Sequence, residues 1–152
     1  YSEASLILSQ AKTAGLDVIF FGCDGLDGIL GMDNFDKSLA EGVMLLTPFT
    51  PTAKDERTQN FVKNFTAKYD KAYLNQFGAD AYDAIYIIKA AIEKANVTAD
   101  MDASAICDAL KVAMTQITFT GVTGTDITWG ADGEPVKKPI AVKIVNGEYV
   151  VM

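Results

Sequence analysis

The chain of 152 residues is 49% hydrophobic and 22% charged, which suffices for the core of one ordinary domain and excludes an intrinsically disordered protein. Its formal net charge of -7, with no run of lysine or arginine, disfavours nucleic-acid binding because phosphate contacts need a basic surface. The absence of histidine excludes Ser/His/Asp and Cys/His catalysis and removes the commonest zinc ligand.

The first third of the chain predicts a helix followed by strands of a parallel sheet. Residues 2–14 have helical periodicity, with Ser2 as N-cap, and the expected buried face consists of Ala4, Ile7, Leu8 and Ala11. The apolar run from Asp17 to Phe21 does not alternate, which is typical of a parallel strand covered on both faces. A glycine-punctuated connection leads to a second strand at 43–47, and this order of elements indicates an α/β protein.

Three more helices are predicted in the middle of the chain. Thr52 opens the first, with Asp55 in a capping-box position, and its apolar stripe is Phe61, Val62, Phe65, Tyr69 and Ala72. The second runs from about Ala79 to Ala95, and its unusually broad apolar arc predicts cover on more than one side. The third spans 103–114 with Asp102 as its cap.

The chain ends in predicted β-structure. Residues 127–129 form a short strand, and the segments 140–145 and 148–151 flank Asn146-Gly147. This dipeptide is the strongest short hairpin signal, because a type I′ turn needs positive φ at both central positions.

The cysteines and the start of the chain carry further expectations. Cys23 and Cys107 are far apart and in no CxxC pairing, so we expect no metal site. The pair is either a disulfide or two thiols, and we expect two unpaired, largely buried thiols. No apolar run approaches the length of a transmembrane helix, and no signal peptide is present. Because the chain begins at Tyr1, without methionine and directly in a helical pattern, we expect a processed product or a fragment.

The candidate site follows the first predicted strand. The strand stops at Gly22, and Asp24 stands between Gly22 and Gly25. Open α/β sheets bind ligands at the carboxyl ends of their strands, so Asp24 could hold an ammonium or another cation. The alternative is an aspartate that only forms a turn or a helix cap.

Other interpretations of the same loop use a second carboxylate. Asp24 and Asp27 could form an acid/base pair or a magnesium site, or Asp24 could accept a phosphoryl group. The GxxGxxG spacing that starts at Gly22 gives little support to nucleotide binding, since it matches neither GxGxxG nor a P-loop.

Two aromatic residues are further candidates. Phe77 lies between two predicted helices, where it is either a pocket wall for an apolar side chain or a plug in the core. Tyr1 either presents its hydroxyl group to a ligand or is frayed, as first residues often are.

A series of short motifs runs in order along nearly the whole chain: Tyr-Ser-Glu-Ala at 1–4, Gln-Ala-Lys-Thr-Ala-Gly-Leu at 10–16, Phe-Gly-Cys-Asp-Gly at 21–25, Ala-Glu-Gly-Val at 40–43, Ala-Tyr-Asp-Ala-Ile-Tyr at 81–86, Ala-Ile-Cys-Asp-Ala-Leu at 105–110, Phe-Thr-Gly-Val-Thr-Gly at 119–124 and Asp-Gly-Glu-Pro-Val-Lys-Lys-Pro at 132–139. Together they resemble the C-terminal half of periplasmic solute-binding proteins of the branched-chain amino acid (Leu/Ile/Val) type, the extracellular receptors of ABC importers.

This resemblance implies a partial type I periplasmic-binding-protein-like fold, with short parallel strands, flanking helices and a C-terminal β-hairpin. Residues 1–47 would belong to the second lobe, residues 48–138 would be a helical segment of the first lobe, and residues 139–152 would return to the second lobe. The first half of the family's chain would be missing, so we expect the chain to carry half of the binding site and to bind ligand weakly or not at all by itself.

The resemblance also assigns roles to site residues. Asp24 would hold the α-ammonium of an amino acid, and Phe77 would line the pocket for its side chain. Tyr1 stands at or one residue past a tyrosine that contacts ligand in the family, and Cys23 and Gly25 flank Asp24 in the matching motif and are expected to border the ligand.

The function implied is capture of a small amino acid with an apolar side chain, without catalysis, cofactor or metal. The expected partners are this ligand and an ABC transporter permease, with no nucleic acid. The expected location is periplasmic or extracellular, and lipid anchoring of the precursor stays open. Because the apolar arc would be uncovered, we expect a homodimer or a domain-swapped dimer. The alternatives are a sensing domain of the same fold on a receptor or regulator, and a small α/β enzyme or phosphate receiver that uses Asp24.

Overall fold

A computed structural model describes all 152 residues and separates them into two compact units. The first unit consists of Tyr1–Phe77 and Pro139–Met152, and the second of Gly78–Lys138. The helices are α1 (Ser2–Thr13), α2 (Glu56–Thr66), α3 (Gln76–Ala95) and α4 (Ala103–Met114), and the strands are β1 (Phe21–Gly22), β2 (Met44–Thr47), β3 (Thr128–Trp129), β4 (Pro135–Val136), β5 (Ile140–Val145) and β6 (Glu148–Val151). The fold is therefore α/β, as the sequence predicts.

A mixed four-stranded sheet, in the order β1-β2-β5-β6, forms the centre of the first unit. The pair β1 and β2 is parallel, as predicted, whereas β5 is antiparallel to both β2 and β6. Asn146 and Gly147 have φ of 53° and 73°, which confirms the predicted hairpin turn. The end of the chain thus returns to pair with the first half of the unit.

The core of the first unit lies against this sheet. Its buried apolar residues come from α1, from two short 3-10 turns, from strands β2 and β5 and from the residue before β2; they are Leu8, Ile29, Leu30, Ala40, Val43, Leu45, Val142 and Ile144. Along β5 the buried residues Val142 and Ile144 alternate with exposed Lys143. This alternation is typical of a sheet covered on one face only.

The prediction of a buried strand at residues 17–21 is wrong. Only Phe21 and Gly22 pair with β2, and the side chains of Val18, Ile19 and Phe21 are 50%, 75% and 59% exposed. The reason is the position of β1 at the edge of the sheet, where this chain provides a neighbour on one side only. Ile7, predicted on the buried face of α1, is exposed as well.

Two of the predicted helix N-termini, those of α1 and α2, are wrong. Helix α2 begins after Asp55, whose carboxylate accepts a hydrogen bond from the Thr58 N–H at 2.9 Å, so Thr52 does not open it. Tyr69 and Ala72 lie beyond its end at Thr66. Ser2 is already the first residue of α1 and is not its cap.

Two other helices are close to their predicted bounds. Helix α3 begins at Gln76, three residues before the predicted start at Ala79, so Phe77, predicted to lie between two helices, is in its first turn. Helix α4 matches its predicted bounds, and the carboxylate of Asp102 caps it through the Ala105 N–H at 2.8 Å.

The second unit contains most of α3, all of α4 and the small β3–β4 pair. The part of α3 at Ile85 and Ile88 exposes its apolar side chains, as expected for the broad arc. An apolar groove of about 470 Å³ lies between α3 and α4 and is lined mainly by Ile88, Ala91, Ile106, Leu110 and Met114. None of the helices is both long and apolar enough to cross a bilayer.

Both thiols are free, as predicted, but the prediction that they are buried is wrong. Cys23 stands in the loop that leaves the edge strand β1, and Cys107 borders the open groove of the second unit. Neither position is covered by other parts of the chain, so both side chains are exposed.

Candidate functional site

The loop that leaves β1 presents Asp24 at the carboxyl end of the sheet. Cys23 is extended, and residues 24–26 then form one turn of 3-10 helix. The main-chain oxygen of Asp24 accepts hydrogen bonds from the Asp27 N–H at 2.9 Å and from Gln76 Nε2 at 2.7 Å. Neither bond uses the Asp24 carboxylate, which is exposed and therefore available to a ligand.

Asp27 is in a different environment from Asp24. Its side chain is only 4% exposed, and its Oδ2 accepts hydrogen bonds from Thr47 Oγ1 at 3.1 Å and from the Gln76 N–H at 3.0 Å. These donors hold the Asp27 carboxylate at the first turn of α3, where the helix dipole favours a negative charge. The sequence suggested Asp24 and Asp27 as one candidate pair, but the first carboxylate is exposed and the second is buried.

Thr47 and Gln76 complete this buried polar cluster, which we call the Asp27 cluster: Asp27, Thr47 and Gln76. Thr47 ends β2, and its hydroxyl also lies 3.3 Å from Gln76 Oε1. All three side chains are almost fully buried. Sequence analysis missed Thr47 and Gln76, although a polar residue at the end of an apolar strand, as Thr47 is, was an available signal.

Phe77 is the second residue of α3 and lies directly beside the Asp27 cluster in the chain. Its N–H donates to Asn75 Oδ1 at 3.1 Å, and its side chain is 46% exposed, which does not fit a plug in the core. Because Gln76 bonds to the Asp24 main chain, the structure brings the Asp24 loop and the start of α3 together.

Tyr1 also lies at this site, through a contact with Gly28. The φ of Gly28 is 110°, and a Cβ atom there would lie 2.7 Å from the Tyr1 hydroxyl oxygen. Gly28 therefore meets two demands that only glycine satisfies, an unusual φ and a close approach. Burial raises the pKa of Tyr1, and the negative charge of Asp27 raises it further, so its hydroxyl stays protonated at neutral pH.

Tyr149 of the C-terminal hairpin reaches the same loop. Its hydroxyl oxygen accepts a hydrogen bond from the Gly28 N–H at 3.0 Å. Burial is the main cause that raises its pKa to about 12, and the charges of Asp27 and Tyr1 act in the same direction. No local pattern predicts this contact, because it joins residues 121 positions apart.

The two flanking candidates border open space. Cys23 and Gly25 are exposed, and a Cβ atom at Gly25 would meet nothing within 4 Å. The site thus combines a free carboxylate, a half-exposed aromatic ring and protonated tyrosine hydroxyls, which suits a small cation or zwitterion with an apolar part. No group of three or more acidic or cysteine side chains is placed to hold a metal ion.

Comparison with known proteins finds one matching family and several similar solved structures. The model of the periplasmic binding protein family matches residues 2–148. No curated protein matches the chain. A leucine-binding protein, LivK, from Thermotoga maritima has 25% identity and a TM-score of 0.80, and the match covers 100% of this chain and 41% of that protein.

Two further solved structures are also similar to this chain over only part of their own length. LivJ of Streptococcus pneumoniae, a branched-chain amino acid transporter protein solved with isoleucine, has 25% identity and a TM-score of 0.76, over 99% of this chain and 42% of that one. A solute-binding protein from R. palustris solved with benzoate has 19% identity and a TM-score of 0.76, over 98% and 39%, which is a likeness of fold alone. The chain therefore spans about two fifths of the length of these proteins.

Proposed function

Since this chain belongs to the periplasmic binding protein family, whose model matches residues 2–148, we propose that it supplies one part of a binding site for a small amino acid. The family consists of binding proteins and not of enzymes. The observation that carries the proposal is the exposed carboxylate of Asp24 after strand β1, which neither hydrogen bond to the Asp24 main-chain oxygen uses.

In this proposal each site residue contacts one part of the ligand. Asp24 accepts charge-assisted hydrogen bonds from the α-ammonium, which are about twice as strong as bonds between neutral groups. Phe77 provides an apolar wall for the side chain, and the open space at Gly25 admits the ligand's main chain. The hydroxyl of Tyr1 and the side chain of Cys23 border the same space.

An apolar side chain on the ligand is supported by two kinds of observation. Phe77 exposes nearly half of its ring, and no lysine or arginine is among the residues that build the loop. Two proteins similar to this chain are described as a leucine-binding protein and as a structure with isoleucine. We therefore propose leucine or isoleucine as the first ligands to test.

The chain spans about two fifths of its relatives, so the remainder of the site would come from residues outside it. We propose that the whole protein closes around its ligand by a hinge motion and delivers it to an ABC transporter permease, outside the cytoplasm. The assignment of 1–47 and 139–152 to one lobe and of 48–138 to the other stays a prediction.

Self-association of the isolated chain also stays a prediction. The exposed side chains of Ile85 and Ile88 on α3, beside the apolar groove, would be covered in a homodimer or a domain-swapped dimer. Light scattering is the direct measurement. A monomer mass at all concentrations would contradict this part of the proposal and leave the ligand site unaffected.

The test of the ligand site is a titration of the 15N-labelled chain with millimolar L-leucine and L-isoleucine, followed by amide chemical shifts. NMR detects the weak binding expected of a partial site and reports its location. We expect shifts confined to residues 23–28 and 75–78, which are abolished in Asp24→Ala. Asp17→Ala, an equal loss of charge before β1, should leave them unchanged. If Asp24→Ala gives the same shifts as the wild type, or if the whole protein binds no amino acid, the proposed site is refuted.

A further inference from the structure

Gln76 joins the two halves of the proposed site through both its side chain and its main chain. Its side chain is only 1% exposed, and its Nε2 donates to the Asp24 main-chain oxygen at 2.7 Å. Its own N–H donates to Asp27 Oδ2 at 3.0 Å, and the next residue along the chain is Phe77. One residue is therefore bonded to the proposed ammonium anchor and covalently linked to the proposed side-chain wall.

The chemistry of these bonds indicates a role beyond filling the core. Burying a glutamine costs side-chain entropy and desolvation, and a leucine or methionine of similar size would pack there without hydrogen bonds. Both ends of the Gln76 amide are used, since Oε1 lies 3.3 Å from Thr47 Oγ1. The bond from Gln76 Nε2 to the Asp24 main-chain oxygen restrains the peptide plane of Asp24.

Fixing this peptide plane also holds the main chain from which the Asp24 side chain extends. The same carbonyl oxygen accepts the Asp27 N–H at 2.9 Å, so two donors hold it from different parts of the chain. The Asp27 carboxylate in turn holds the first turn of α3 through its bond to the Gln76 N–H. The separation of Asp24 from Phe77 is therefore set by buried bonds and not by the exposed loop.

We propose that Gln76, held by Asp27 and Thr47, is a positioning residue that keeps the ammonium anchor at a fixed place relative to the side-chain wall and so determines which amino acids fit. This inference rests on the proposed function. It assigns no ligand contact to Gln76, which lies beneath the site.

The decisive variant is Gln76→Met, which preserves the size of the side chain and the main-chain bond to Asp27 but removes the bond to Asp24. We expect it to weaken leucine binding about three- to ten-fold, the loss expected for one hydrogen bond. Binding of alanine, which keeps the ammonium and carboxylate but lacks the side chain that would contact Phe77, should change less than binding of leucine. Equal losses for both ligands would show a merely structural role and overturn the proposal.

Amide hydrogen exchange tests the positioning without ligand. In Gln76→Met the amides of Leu26 and Asp27, which close the Asp24 turn, should exchange faster than in the wild type. The matched control is Gln59→Met on α2, whose amide bonds to the Ala53 main-chain oxygen and which should leave the Asp24 turn unchanged. Unchanged exchange in Gln76→Met overturns the proposal whatever the titrations show.

Two further outcomes separate the inference from the function on which it rests. If Gln76→Met does not fold, Thr47→Val removes the hydroxyl contacts with Asp27 and Gln76, together with those to the Phe49 main chain, and should give smaller changes in the same direction. No change at all would count against the proposal. If the whole protein binds no amino acid, the proposed function is refuted, and the exchange data still decide whether Gln76 fixes the Asp24 loop.

Discussion

Truncating Asp83 should destabilise the second unit strongly, although Asp83 touches no part of the proposed ligand site. Its side chain is 2% exposed on α3. Its Oδ1 accepts the Val122 N–H at 3.0 Å, and its Oδ2 accepts the N–H and the hydroxyl of Thr123, both at 2.8 Å. The variant Asp83→Ala would leave all three donors without their acceptor.

The magnitude follows from these bonds. A buried donor that loses its partner costs about 1–3 kcal/mol, and bonds to a charged acceptor are at the upper end. Since Val122 and Thr123 are buried but water can enter after truncation, we expect a total loss of about 3–5 kcal/mol in the free energy of unfolding. Asp83→Asn retains one acceptor oxygen and should lose about half as much.

The assay is urea denaturation followed by the fluorescence of Trp129, the only tryptophan of the chain, which lies in the second unit. The matched control is Asp108→Ala on α4, where Asp108 pairs with Lys111 and both side chains are more than 70% exposed. This control should cause no resolvable change. A loss below about 1 kcal/mol for Asp83→Ala would refute the argument that its carboxylate holds the 121–124 turn.

Two more predictions concern titrating groups in the first unit. Tyr149→Phe removes the acceptor of the Gly28 N–H and should cost about 1–2 kcal/mol. Burial raises the pKa of Tyr149 to about 12 in the folded state, so the folded protein holds this proton more tightly than the unfolded one. The stability of the wild type should therefore fall, relative to Tyr149→Phe, as the pH rises from about 10 to 12. Equal pH dependence of the unfolding free energy in the two proteins, measured by denaturation, would contradict this. Asp55→Ala removes the cap of α2 and should cost about 1 kcal/mol. Burial raises the pKa of Asp55, but hydrogen bonds from Thr58 outweigh this effect and lower the pKa. The stability that the cap contributes should therefore be lost as the pH falls below about 4. Asp55→Asn should keep a cap without this pH dependence.

The local elements were largely predictable because they depend on residues close together in the sequence. The hairpin at Asn146-Gly147, the cap of α4 by Asp102 and the long helix α3 follow from turn chemistry, capping and periodicity within a few residues. The family was also recognisable from short motifs in a fixed order, and the family match at residues 2–148 confirms it.

Burial was the weaker part of the prediction. The apolar run 17–21 has the composition of a covered strand, yet Ile19 is 75% exposed. The composition of a segment shows only that its side chains are apolar enough to be buried. Whether other elements cover them depends on the strand order, which places β1 at an edge of the sheet. The exposure of Cys23 and Cys107 follows the same logic.

The sequence by itself determined the family, the α/β class and a carboxylate, Asp24, after the first strand, because these depend on residue type and on local spacing. Only the tertiary structure decided that Asp24 is free while Asp27 is buried, and that Gln76 links the Asp24 loop to Phe77. These bonds join residues 49 and 52 positions apart, so no local pattern carries them. They depend on the path of the backbone, which brings the ends of β1 and β2 and the start of α3 to one place.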